Sequence, residues 1–251
     1  MTSPGPAATR TELLIATIAT MLDGLRHIAV GASSPIPGAA ALLAAARGDG
    51  RPRVTVLGSR LRNDFTDGGR ELFDCAAQGR IDAFFLGGGQ IDGHANVNLV
   101  GLGNYPDVTV RFAGTYGSAY LYFLIPRVIL FREEHTRRVF VDKVDFVSAP
   151  GTSADNIYRP GGPYALVTGR CVFNWDNAEN CFALASLHPG ESLQSIRDNT
   201  GFDYREPAEV SETPPPDAQT LALIRGEVGG QIAEVYPKFA SATLGLDTST
   251  G

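Results

Sequence analysis

"AFFLGGGQIDGHANVN", residues 83–98, runs an apolar segment into three glycines, then an amide, an acid, a histidine and two asparagines. Ala83 to Leu86 reads as a buried strand. Its glycine end is either a tight turn or backbone left bare so that something can sit against it. Upstream, "HIAVGASS" (27–34) and "RVTVLGS" (53–59) are two further apolar strands. Helical stretches separate the three: "PIPGAAALLAAARG", stopped by Gly48, and "GGRELFDCAAQGR", ending at Gly79. A first helix, from the cap candidate Thr11 to near Arg26, precedes them. Mostly apolar strands alternating with helices predict an α/β fold, an open and mainly parallel sheet with helices on both faces.

The second half predicts an extension of that sheet by antiparallel hairpins. "VTVRFAG" (108–114), "RVILFRE" (127–133) and "FVDKVDFVSAPG" (140–151) read as strands at short intervals. Two more flank the turn "NWDNAEN" (174–180), whose Asn and Asp residues suit a hairpin. Helices resume at "SLQSIRDNTGF", which Ser192 can cap, and at "AQTLALIRGEV" beyond the stiff spacer "SETPPPDAQ". No linker-like shift in composition divides the chain. The expectation is one domain over 1–251, with a mobile polar tail from about 242.

With 43% hydrophobic and 19% charged residues, the chain can bury a sizeable core. Its net charge of −6 disfavours nucleic acid, which needs a dense basic footprint. "RRVFVDK" mixes signs and reads as a solvated face. The N-terminal apolar segment lacks a basic region before it, and no run reaches the ~18 residues of a membrane span. The cytoplasm is therefore expected, and no membrane partner. Cys75, Cys171 and Cys181 form no CxxC pattern and read as buried free thiols, although Cys171 and Cys181 could face each other across a hairpin.

Ligands of open α/β sheets bind beyond the carboxyl ends of the strands. Four such ends carry glycine or small polar residues: 31–34, Gly58-Ser59, Gly87-Gly88-Gly89-Gln90, and Gly114-Thr115-Tyr116-Gly117-Ser118. Each glycine could merely permit a turn; four of them would converge on one edge of the sheet. "GASSPIPG" is not GxGxxG, and GK[ST] and GxSxG are missing, which disfavours dinucleotide, P-loop and α/β-hydrolase chemistry. His27, His94, His135 and His188 are scattered, and His94 with Asp92 lacks a third ligand, so no metal is expected.

In order along the chain, "GGGQIDGHANVN", "RFAGTYGS", "RVFVDKVDFVSAPG", "LHPG" and "NTGFD" resemble the β subunits of glutaconate CoA-transferase and its relatives, the class I CoA-transferase family. The resemblance runs from "ELLIATIATML" to "LALIRGEV". It implies a hetero-oligomer with an α-type subunit, an acyl-CoA thioester as substrate, and no permanently bound cofactor. In the transferases a β-subunit glutamate attacks the thioester and carries the acyl group and then CoA. The matching position here is Leu57, which has no nucleophile, although Asp64 or Asp67 could lean in from the following loop. A related branch also lacks that glutamate. Its members are CoA-ester hydrolases that open a ring by cleaving a carbon–carbon bond, with a catalytic carboxylate from the α subunit.

The resemblance thus favours hydrolysis over transfer, and leaves open a subunit that kept the fold without the chemistry. It places Gly58, Ser59, Gly88, Gly89 and Gln90 on the acyl-CoA cleft, with Gln90 or the glycine backbone near the thioester carbonyl. Asn96 and Asn98 would brace that loop. Gly114, Tyr116, Gly117 and Ser118 would form the opposite lip, with Tyr116 or Tyr120 on substrate or packed in the core.

Overall fold

The computed structural model describes residues 7–48 and 50–246. They form two compact units. One joins the two ends of the sequence, up to Thr66 and from Pro214 onward; the other is Asp67–Thr213.

In the first unit, α1 (Arg10–Thr20) starts earlier than expected, at Thr9. Thr9 has Glu12 three residues on and makes a reciprocal capping box with it, whereas Thr11 has Leu14 at that spacing. The helix stops at Thr20 rather than near Arg26, and Gly24 turns the chain with φ +76°. Strand β1 (His27–Val30), helix α2 (Pro35–Arg47) and strand β2 (Arg53–Val56) follow. β1 and β2 are parallel, with Ile28 opposite Val54 and Val30 opposite Val56. Leu14, Ile15 and Ile18 of α1 are fully buried, as are the neighbouring leucines of α2.

The second unit opens with α3 (Gly68–Ala77) and β3 (Ala83–Leu86). Four two-residue strands come next: β4 (Gln90–Ile91), β5 (Val97–Asn98), β6 (Gly101–Leu102) and β7 (Val110–Arg111). Then follow α4 (Ser118–Leu124), β8 (Arg127–Arg132), β9 (Pro163–Thr168), β10 (Cys171–Asp176), β11 (Cys181–Leu187), α5 (Leu193–Asn199) and β12 (Ser211–Glu212). The unit's sheet runs β12-β11-β10-β9-β8-β3. Its β3–β8–β9 part is parallel, and β9, β10 and β11 form the antiparallel extension. Ser192 caps α5 by accepting from the Ser195 amide at 3.1 Å.

Three expectations are corrected here. Of "VTVRFAG" only Val110–Arg111 is strand; it is exposed and pairs with β6 in a ribbon of its own, so Gly114 does not follow a strand of the main sheet. "FVDKVDFVSAPG" is no strand; it touches the β4–β5 hairpin through single bridges at Phe140 and Ala149. Cys171 lies opposite Leu187 and Cys181 opposite Asp176, at different ends of the hairpin.

The chain then returns to the first unit through α6 (Ala218–Leu223), a π-helical turn Ile224–Val228, α7 (Gly229–Ala233) and α8 (Pro237–Leu244). This segment packs on α2. Gly38 lets it come close, since a β-carbon there would meet Ile232 Cδ1 at 3.0 Å. Arg225 of the π-turn reaches Glu12 at 2.5 Å, and Glu12 is almost fully buried. Burial alone would push the Glu12 carboxyl up; its bonds to Arg225 and Thr9 outweigh that and hold it below the usual range. The expected tail divides: 242–244 belong to α8, and 247–251 lie outside the described residues. Among the described residues no helix is long and apolar enough to cross a membrane.

Candidate functional site

The glycines at the end of β3 are packed rather than bare. A β-carbon on Gly89 would overlap the Phe112 ring, one on Gly88 would overlap Val97, and one on Gly87 would meet the Phe131 carbonyl oxygen at 2.7 Å. The Gly89 amide already donates to Asn98 O at 2.9 Å. That amide is already paired within the protein, which favours shaping a wall over donating to a ligand as the part this glycine could play.

The polar residues that follow form one buried network. Asn98, with no exposed surface, donates from Nδ2 to Gln90 Oε1 (2.8 Å) and Gly101 O (2.7 Å). Its Oδ1 accepts from the amides of Val100 and Gly101. Gln90 Oε1 also accepts from the Asp145 amide at 2.9 Å, so its carbonyl faces inward. Asp92 takes the amides of His94 and Asn96 and the Asn96 side chain. The Asn96 side-chain oxygen Oδ1 accepts from the Gly151 amide at 3.1 Å. Ser148 donates to Val97 O and accepts from the Leu99 amide. The two stretches that carry the family resemblance, 87–98 and 140–151, are therefore each other's hydrogen-bond partners. Buried backbone groups outside regular strands need such partners, and these side chains supply them.

Gly114–Ser118 forms a separate turn in the same unit, leading into α4. Tyr116 is 72% exposed and holds φ +38°, a left-handed value that a tyrosine rarely adopts. Its ring leans on Phe73, with centroids 6.1 Å apart, and Tyr120 meets the same ring edge-on. Gly69 and Gly117 make room for this cluster, the first beneath the Tyr116 hydroxyl and the second beneath the Phe73 ring. Ser118 is buried, and its hydroxyl has no hydrogen-bond partner among the described residues. Orphaned buried hydroxyls and strained backbone both cluster where ligands bind.

Leu57, Gly58 and Ser59 belong to the first unit. The Leu57 amide donates to Val30 O at 2.9 Å, which sets Leu57 at the carboxyl end of β2 beside the end of β1. Gly58 is exposed with φ +92°. The Ser59 hydroxyl accepts from the amides of Leu61 and Arg62 and donates to Glu234 Oε2 at 2.6 Å. Glu234 Oε1 accepts from the Arg60 amide at 2.9 Å. Glu234 is the residue that sequence reasoning missed. It lies 175 positions from Ser59, and no local spacing links them. Asp64 does not lean toward Leu57, because it pairs with Arg53 at the opposite end of β2, at 2.8 Å. Asp67, in the other unit, pairs with Arg70 at 2.8 Å.

Three of the four histidines are held inside the protein by hydrogen bonds. His27 bonds to Thr55, His135 to Thr168 and Thr200, and His188 to Thr213 and Thr168 O, all buried; His94 is exposed. Burial pushes the Cys171 thiol up to about 12, which leaves it protonated and inert. Among the described residues no cluster of three or more His, Cys, Asp or Glu side chains could hold a metal ion.

Comparison with known proteins places this geometry among relatives. The sequence model described as "Coenzyme A transferase" matches residues 27–199. The β-type chain of 3-oxoadipate CoA-transferase from Pseudomonas knackmussii is 33% identical over 59% of this chain and 58% of its own length. The IpdB component of a cholesterol ring-cleaving hydrolase from Rhodococcus jostii is also 33% identical, over 62% of each chain. The chain thus matches somewhat under two thirds of these relatives' length. The solved IpdAB structure from the same organism superposes with a TM-score of 0.77 at 27% identity, covering 87% of this chain and 94% of that one. A structure of the decarboxylase AibA/AibB superposes with a TM-score of 0.74 at 25% identity, covering 95% and 99%.

Proposed function

The chain belongs to the coenzyme A transferase family, and we propose that it is a β-type subunit acting on an acyl-CoA thioester together with an α-type chain. We infer further that it works by hydrolysis and not by transfer of CoA. The observation that carries this is Leu57. The end of β2 presents an aliphatic side chain where the family resemblance expects a glutamate. Asp64 is tied to Arg53. Glu234 does reach the loop, but both its oxygens are engaged by Ser59 and Arg60. A carboxylate so held is poorly placed for near attack on a thioester. Water directed by a carboxylate of the α-type chain needs no covalent intermediate on this one.

The names of the relatives span both chemistries: a transferase in Pseudomonas, a ring-cleaving hydrolase in Rhodococcus. Within this reading the strained Tyr116 and the orphaned Ser118 hydroxyl are the side chains of 114–118 that meet substrate. Gly88 and Gly89 shape the wall from behind, and the Gln90–Asn98 network keeps it rigid. The substrate is a CoA ester, and no resident cofactor is required.

The test is to purify the chain with its α-type partner and supply cyclic and acyclic acyl-CoA esters, with and without a free carboxylate acceptor. Consumption of the ester without an acceptor, with one oxygen from labelled water in the product, is expected. Strict dependence on an acceptor, with a CoA adduct on a peptide of this chain, would overturn hydrolysis in favour of transfer. Release of carbon dioxide would move the chain beside AibA/AibB instead.

A further inference from the structure

The segment 234–236 reaches the carboxyl ends of both strands of the first unit. Glu234 takes the loop after β2 through the Ser59 hydroxyl (2.6 Å) and the Arg60 amide (2.9 Å). Two residues on, the Tyr236 hydroxyl accepts from the Ser34 amide at 3.2 Å, at the end of the loop after β1. Each of these loops carries a left-handed residue, Ser33 at φ +60° and Gly58 at φ +92°. A serine at that φ costs free energy and persists only where its surroundings hold it. The carboxyl ends of parallel strands are also where open α/β sheets bind ligands.

We propose that Glu234 and Tyr236 form a clasp that positions the two strand-end loops as part of the acyl-CoA site. The inference rests on the acyl-CoA reading above and adds to it two residues far from every motif in the sequence. Glu234 acts here as a positioning residue. Its charge-assisted bonds fix Ser59, whose hydroxyl in turn accepts from the Leu61 and Arg62 amides and so closes the turn that starts at Leu57. Without the carboxylate, Ser59 loses its acceptor, and the Arg60 amide is left to water. The loop then samples several conformations, and ligand must select one of them, which weakens binding by the fraction of time that conformation is absent.

A glutamine at 234 keeps one of the two acceptors. Its oxygen can take either the Ser59 hydroxyl or the Arg60 amide, and its NH2 then faces the other donor. Part of the clasp therefore survives in that variant, and binding of coenzyme A reads positioning without any proton transfer.

The experiment is calorimetric titration of coenzyme A into the complex with the α-type chain, for wild type, Glu234→Ala, Glu234→Gln and Tyr236→Phe. Circular dichroism and native mass verify that each variant folds and assembles. Expected are binding weakened about tenfold or more by Glu234→Ala, a smaller loss in Tyr236→Phe, and an intermediate loss in Glu234→Gln. Wild-type affinity in both Glu234→Ala and Tyr236→Phe overturns the clasp while leaving the acyl-CoA reading intact. Equal loss in Glu234→Ala and Glu234→Gln overturns positioning through hydrogen bonds, since the acceptor that glutamine retains would then contribute nothing. Should Glu234→Ala fail to fold, Tyr236→Phe decides alone: weakened binding supports the clasp, unchanged binding removes it. A wild-type complex that binds no coenzyme A overturns both the reading and the clasp.

Discussion

The side-chain amide of Asn98 donates to the side-chain oxygen of Gln90 across 2.8 Å, with Asn98 wholly buried. The two residues pair across the β4–β5 hairpin, and the same Gln90 oxygen takes the amide of Asp145. One contact thus joins the glycine turn to the irregular segment 140–151.

Asn98→Ala removes the acceptor of two amides and a donor to two oxygens. Unsatisfied buried groups cost about 1–3 kcal/mol each, and partial solvation shares that loss. The variant should be destabilised by about 3 kcal/mol, roughly 10 °C in Tm. Thermal unfolding measures this, and a Tm within two degrees or so of wild type would count against the network.

Gly89→Ala drives a methyl group into the Phe112 ring. Overpacking of this kind costs about 1–3 kcal/mol. Phe112→Ala makes space, so the double variant should recover part of what Gly89→Ala loses relative to Phe112→Ala alone. Urea denaturation of the four proteins of the cycle reads the coupling, and strictly additive losses would mean that the two residues do not meet. Lost activity in a bulky Gly89 variant therefore says little about ligand contact by itself.

His135 gives the fold a pH dependence. Burial lowers its pKa to about 4 from 6.5, with the positive charge of Arg170 adding to the effect. The folded state binds fewer protons than the unfolded state between those values, so stability rises with pH across that window. The contribution is complete above about pH 6.5 and is lost as pH falls toward 4, by about 3 kcal/mol. In denaturation series from pH 4 to 7, the wild type should show this slope and His135→Gln should lack it. Parallel curves would be the contrary result.

Leu57→Glu returns a carboxylate to the end of β2, beside Val30 and clear of the Asp64–Arg53 pair. On the hydrolase reading, the variant complex should form a CoA adduct on the peptide containing residue 57, detectable by mass spectrometry, and gain acceptor-dependent turnover. Neither adduct nor turnover in a correctly assembled variant would show that the identity of residue 57 does not set the chemistry.

Much of the architecture was legible because periodicity and punctuation agreed. β1, α2, β2, α3 and β3 lie where apolar runs and stopping glycines put them. "FVDKVDFVSAPG" misled because its branched apolar residues read as a strand, while the amides of Val144, Asp145 and Gly151 go to the side chains of Asp92, Gln90 and Asn96, and those of Val141, Ser148 and Ala149 to the carbonyls of Ile91 and Val97. Val110–Arg111 misled similarly: the composition was right for strand, but it found only β6 to pair with. The bracing asparagines were legible from the turn chemistry of Asn. Glu234 was not, because an exposed acid in a helical segment looks like any solvated charge. The proline spacer made that segment look peripheral, although it is stitched to the first unit at Glu12, Ser34 and Ser59.

The first unit is made from both ends of the sequence, and this constrains how the protein can be born. When Thr66 leaves the ribosome, the helices that cover α2 have not yet been translated. The stretch from Asp67 to Thr213 takes on the order of ten seconds to synthesise and can fold meanwhile as a unit. Through that interval α2, with its buried run from Ile36 to Ala45, waits with an apolar face open to chaperones and to other nascent chains. Synthesis rate and chaperone supply should therefore affect the yield of this chain.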